Sequence, residues 1–279
     1  MAKYFTVEVI PTIAASTQVA YGADDVLFDW TSFQVPRGAN KLISVTMTQR
    51  GTNGGTQAAK DIDLVFARSI LNTAPTTLGT ANATASAAPA VSNHIIGLTH
   101  LDAAGDFGAA GFDYFSVGST GSGAAASMIP ALVLEGEVNS GDNVGYDTLY
   151  LGGIAGNASI DFGTGVVTSR AVDVSGLSAA QLVNADIEGT DPRLAFAVGD
   201  IIHATDDIIV GEIESMADAN TITFKADGST TTSLKGEYTV PADLTAWKIQ
   251  NGAGAAGDLG SGDELFNIHP VKVILSFER

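Results

Sequence analysis

The chain has 279 residues, with 31 acids against 13 bases and a formal net charge of −18, so it repels nucleic acid and anionic membrane surfaces. Hydrophobic residues make up 45% and charged residues 16%, which excludes a disordered chain. There is no cysteine, so disulfides and thiolate metal sites are excluded, and no apolar run reaches the length of about eighteen residues that a membrane helix needs.

The opening MAKYFTVEVIPTIAAST has one Lys followed by alternation, and it does not read as a signal peptide. Its first strand is predicted over Lys3 to Ile10, with Phe5, Val7 and Val9 on one face and Tyr4, Thr6 and Glu8 on the other. Pro11 ends it, because proline cannot donate to a ladder. VLFDW (26–30) and KLISVTMTQR (41–50) follow, the second predicted to turn Ile43, Val45 and Met47 inward. GTNGG (51–55) is a turn, and DIDLVFAR (61–68) alternates again with Ile62, Leu64 and Phe66 inward.

Residues 72–93 carry almost no large apolar side chain and read as a long loop or arm, unable to build a core of its own. HIIGLTHL (94–101), FDYFSV (112–117), IPALVLEG, GYDTLYLGGIAG (145–156) and the tail PVKVILSFER (270–279) are further strands. The C-terminal strand is expected to return to the same sheet as the N-terminal one. SAAQLVNA (178–185) fits two helical turns with Ser178 as N-cap, or a strand equally well.

From about Val172 to Gln250 the strands shorten: LVNADIEG, LAFAVGDIIHA, IIVGEIESM, NTITFKA and AWKIQ. Short strands on tight turns suit a small β-barrel. The organisation predicted is all-β: an antiparallel, jelly-roll-like β-sandwich of residues 1–171 plus 265–279, an inserted small β-barrel of 172–250, and a Gly-rich linker over 251–264.

Chemistry is sparse. The histidines His94, His100, His203 and His269 show no zinc spacing, and His94 and His100 on one strand would stand roughly 20 Å apart. G-x-S-x-G is absent, with Ser119 and Ser122 at the wrong offsets, and neither nucleotide-binding glycine motif occurs. DLGSGDE (258–264) lacks side-chain oxygens where a calcium loop needs them, at Gly260 and Gly262. Asp206, Asp207 and Asp218 are the metal candidates, as calcium ligands meeting across turns; the simpler reading makes them solvated turn carboxylates. Trp30 and Trp247 read as core anchors rather than a sugar-stacking surface. No catalytic residue and no cofactor is predicted.

The segments MAKYFTVEVIPTIAAST, LFDWTSFQVPRGANKLISV, GTDPRLAFAVGD (189–200) and HPVKVILSFE resemble virion structural proteins of marine tailed phages, cyanophages especially. The resemblance implies a component of the particle surface and not an enzyme. The common major shell protein carries a long helix, which this chain does not show, so the role implied is a head decoration (cement) protein. Its implied partners are the major capsid protein and further copies of itself, commonly in a trimer. The acidic exterior suits a marine medium, where salt screens self-repulsion. Alternatives are a tail, baseplate or fibre component, or a surface carbohydrate-binding module with the inserted domain as reader.

Overall fold

The computed structural model describes residues 3–13, 20–49, 61–101, 107–108, 114–118, 132–137, 145–156, 160, 166–168, 183–188, 193, 196–204, 209–218, 221–224, 233–234, 238–239, 264–267 and 269–279. The first strands are β1 (Tyr4–Val9), β2 (Val26–Pro36), β3 (Asn40–Gln49), β4 (Ile62–Arg68), β5 (Ile95–Leu101), β6 (Phe107–Gly108), β7 (Tyr114–Gly118), β8 (Leu132–Leu134) and β9 (Tyr146–Ala155). Then come β10 (Val166–Thr168), β11 (Val183–Glu188), β12 (Ile201–Ala204), β13 (Ile209–Ser215), β14 (Thr221–Phe224), β15 (Ser233–Leu234), β16 (Tyr238–Thr239), β17 (Glu264–Asn267) and β18 (Val271–Glu278).

Two antiparallel sheets face each other. One runs β1-β18-β3-β7-β6, with β8 also on β3, and the other runs β2-β9-β4-β5. β7 lies along Val45–Gln49 of β3 and β8 along Asn40–Leu42, so the two are one strand line interrupted by residues 119–131. Taking that line as one strand, the principal strands stand in chain order 1-8-3-6 and 2-7-4-5. This is the jelly-roll arrangement, an all-β sandwich of two interleaved Greek keys.

The core follows from period-2 burial. Val271, Val273, Leu275 and Phe277 of β18 meet Val45 and Met47 of β3, Leu64 and Phe66 of β4, and Leu149 and Leu151 of β9 in one apolar cluster between the sheets. Each fully buried Leu, Ile or Phe contributes about 1.5–3 kcal/mol relative to exposure. β1 pairs with β18 along its whole length, Phe5 opposite and stacked on Phe277 at 5.2 Å.

The expected inward face of β3 is corrected at one residue. Ile43 is only half-buried, while Leu42 is fully buried. A bulge between Ser276 and Phe277 of β18 pairs Ser44 and then Leu42, leaving Ile43 without an opposite residue and reversing the side-chain parity. A register shift of β2 against β9 between Val26 and Thr31 lets the adjacent Leu27 and Phe28 both join the core, while Val26 lies outside that cluster and is buried beside Gly79 of the loop.

The loop after β4 lies against its own sheet. Its base is closed where the Arg68 amide donates to the His94 carbonyl (3.0 Å) and the His94 ring donates Nδ1–H to the Arg68 carbonyl (2.8 Å). Further along, Asn82 donates to the Val26 carbonyl at 2.9 Å, and the Leu78 amide donates to Asp29 Oδ1 at 2.9 Å. Leu78 and Val91 are buried beneath it, which is why the outward-facing Val65 and Ala67 of β4 are buried too. Gly152 makes room: a Cβ there would overlap Leu78 Cδ1 and stand 3.2 Å from Trp30 Cζ3. Its neighbour Gly153 clears the opposite face, where the Phe28 ring sits.

Six short strands close a barrel in the order β10-β11-β14-β13-β12-β17. Ile201, Ile202, Ile213 and Ile222 are its buried aliphatic residues among those described. The ring draws one strand from before residue 172 and another from Glu264–Asn267. Of the segment 178–185, open to either reading in the sequence, residues 183–185 belong to strand β11 and the rest lies outside the described residues. All of the barrel strands lie in the chain between β9 and β18, and so leave and rejoin the sandwich at the end where β3 finishes and β4 begins. The termini occupy the opposite end, where Lys3 and Arg279 exchange backbone hydrogen bonds of 3.1 and 2.9 Å.

Candidate functional site

The acidic side chains reveal their work when traced to their partners. Asp25 Oδ2 accepts from the Gly22 amide at 2.6 Å, and Asp147 Oδ2 accepts from the Gly38 amide at 3.0 Å. Asp200 Oδ2 accepts from the Ala197 amide at 2.8 Å and from Asn267 Nδ2 at 2.9 Å. Carboxylates near tight turns cap backbone donors that the turn leaves without partners. Asp147 is 4% exposed, and Gly136 is pressed so close that a Cβ there would overlap it. One buried carboxylate thereby binds the β2–β3 turn, and the segment after β8 packs over it.

The metal candidates are dispersed or undescribed. Asp218 is exposed in a bend after β13, and Asp206 and Asp207 lie outside the described residues. Among the described residues, no group of three or more His, Asp or Glu side chains is placed to hold an ion. The histidines occupy separate places. His94 serves the loop base, His100 Nδ1 lies 2.7 Å from Asp63 Oδ1 across β4 and β5, and His269 Nε2 lies 3.4 Å from Thr12 Oγ1. The side chain of His203, the serines at 119 and 122, the 258–264 loop and Trp247 fall outside the described residues. Trp30 is half-buried against Gly152, as an anchor for the loop above it.

One surface feature was not foreseen from the sequence. At the terminus-bearing end, Arg68, Ser69, Ile70 and Glu137 line an open depression of about 300 Å³. Beside it the chain makes a two-residue turn, closed by hydrogen bonds between Ile70 and Thr73 in both directions (3.0 and 2.9 Å). Both central residues have positive φ, 52° at Leu71 and 59° at Asn72. Asn tolerates that region, but for Leu it costs roughly 1–2 kcal/mol. The Glu137 carboxylate holds the turn by accepting from the Leu71 amide and, at 2.8 Å, from the Asn72 amide. Leu71 is left 85% exposed. Asn72 was the only sequence signal for this turn, because Leu71 argues against it.

Asp25, Asp147, Asp200 and Glu137 each accept from backbone amides, and the depression presents one acid and one guanidinium on an open wall. Comparison of the chain with protein-family models and with curated proteins finds no match.

Proposed function

We propose that the chain is a virion structural protein of a tailed phage, a decoration protein that docks as a homo-oligomer on the major capsid protein and stabilises the head shell. The observation that supports it best is the jelly-roll sandwich with unlike ends. Both termini and the Leu71 turn lie at one end, and the inserted barrel strands leave from the other. Such a slab can seat one end on a lattice and project the other. Jelly rolls recur in viral capsids, a fold-level analogy that adds to the segment resemblance.

Mechanically, docking would bury exposed apolar side chains such as Leu71 against the shell, and the shell could rupture only by giving up that contact. The net negative charge opposes non-specific clumping of copies, and salt screens the repulsion on assembly.

Electron microscopy of an intact particle tests this. Density for the chain in many copies over the head, with heads lacking it rupturing at lower temperature, is the expected result. Density only at the tail would make it a tail or baseplate component, and its absence from the particle would overturn the virion reading. A carbohydrate-binding module is the second reading, favoured by the exposed rings of Tyr4 and Tyr146. Glycan-array binding lost in Tyr4→Ala or Tyr146→Ala would establish that reading instead.

A further inference from the structure

Among the described residues, the jelly roll leaves one long edge open. β1 pairs with β18 on one side only, and no described strand lies on the other. The exchange between Lys3 and Arg279 sets the phase of the ladder: odd residues of β1 direct their N–H and C=O groups toward β18. Tyr4, Thr6 and Glu8 therefore direct theirs outward. The pairing runs from Tyr4 to Val9 without a register shift, and the segment holds no proline or lysine. Among the described residues it has no bulge and no covering segment, and its one charge, Glu8, is turned back onto Lys272. The other sheet is treated differently. The backbone of β2 at Val26 is bonded to the loop residues Asn82 and Ala83, and the β4–β5 pairing is broken by a bulge at Phe66 and Ala67.

The side chains leave this edge clear. Tyr4 donates its hydroxyl to Glu278 Oε1 at 3.3 Å, and Glu8 pairs with Lys272 at 2.9 Å, so both lean back over β18. On the inner face Phe5 and Val7 are only half-buried, because the core ends there.

We propose that β1 is a two-fold self-association strand, pairing antiparallel with β1 of a second copy of this chain and centred on Thr6. The register follows from parity. For the apolar faces of both copies to stay on one side, odd residues must oppose odd residues and even must oppose even. Centring on Thr6 sets Thr6 opposite Thr6 of the second copy and Tyr4 opposite Glu8 of the second copy. Phe5 then opposes Val7 of the second copy. The even pairs are the hydrogen-bonded ones, so every outward backbone group of Tyr4, Thr6 and Glu8 gains a partner. The Phe5 and Val7 pairs close over the half-exposed rim of both cores. The contact is isologous and consumes the edge, so it stops at two copies. It does not depend on the virion reading, and either can fail without the other.

Sedimentation of the full chain tests it, with engineered variants at the symmetry axis. The wild type sediments as a concentration-dependent dimer. Thr6→Lys places two like charges across the axis and yields a monomer that still melts cooperatively, at the temperature of the wild type diluted until its dimer dissociates. The chain has no cysteine, so Thr6→Cys introduces a single thiol. Its counterpart would lie about 5.5 Å away between Cα atoms, within disulfide reach. Mild oxidation then gives covalent dimer for Thr6→Cys and none for Ser32→Cys, on an exposed position of β2. A wild-type monomer, a dimer that survives Thr6→Lys, or equal cross-linking of both cysteine variants overturns the proposal.

Discussion

Gly152→Ala offers a quantitative check on how the 69–94 loop is held. Gly152 lies at the middle of the β2-β9-β4-β5 sheet, opposite Val65, on the face covered by Leu78. An added methyl would have to withdraw by roughly 1 Å to reach the ~3.5–4.0 Å carbon–carbon optimum. Trp30 and Leu78 box it in. Overpacking of this kind costs about 1–3 kcal/mol. Leu78→Ala alone removes the one large side chain under the middle of the loop, at about 2–3 kcal/mol, low in the usual range because a loop can settle into the space. Combined, the new methyl fills part of the vacated volume, so the double variant loses little more than Leu78→Ala, a coupling of about 2 kcal/mol. Gly153→Ala, whose methyl meets Phe28 on the opposite face, adds to Leu78→Ala instead. Guanidinium unfolding followed by Trp30 fluorescence in a Trp247→Phe background measures all the corners. Additivity of Gly152→Ala and Leu78→Ala to within about 0.5 kcal/mol would refute the packing argument.

Two further expectations concern backbone irregularities. If the bulge sets parity in β3, Leu42→Ala costs about 2–5 kcal/mol while Ile43→Thr costs below about 1 kcal/mol, read from denaturant midpoints; the reverse order would restore Ile43 to the core. Leu71→Asn relieves the positive φ and raises stability by about 1 kcal/mol, whereas Glu137→Ala lowers it by about 0.5–1.5 kcal/mol, because water replaces the acceptor at these exposed amides.

The strands that alternate cleanly were legible in the chain: β1, β4 and β18 bury the residues their period indicates, because a two-residue repeat dictates which side chains share a face. The antiparallel all-β class followed from the same repeat, and the return of β18 to the sheet of β1 is borne out, the structure adding that the two are neighbours. Ile43 was misplaced because a bulge depends on the partner strand opposite, which local pattern does not encode. The 72–93 segment did read as a loop poor in apolar bulk, yet its place over the sheet rests on Leu78 meeting Gly152, residues far apart in the chain. Asp206, Asp207 and Asp218 were the carboxylates read as turn residues; Asp147 and Glu137 were not, because their acceptor roles at Gly38, Leu71 and Asn72 join segments far apart in the chain. Composition and period thus determined which residues face inward wherever no bulge intervenes. Register, bulges and the packing of loop on sheet were decided only by tertiary structure, because each requires a partner that no local stretch contains.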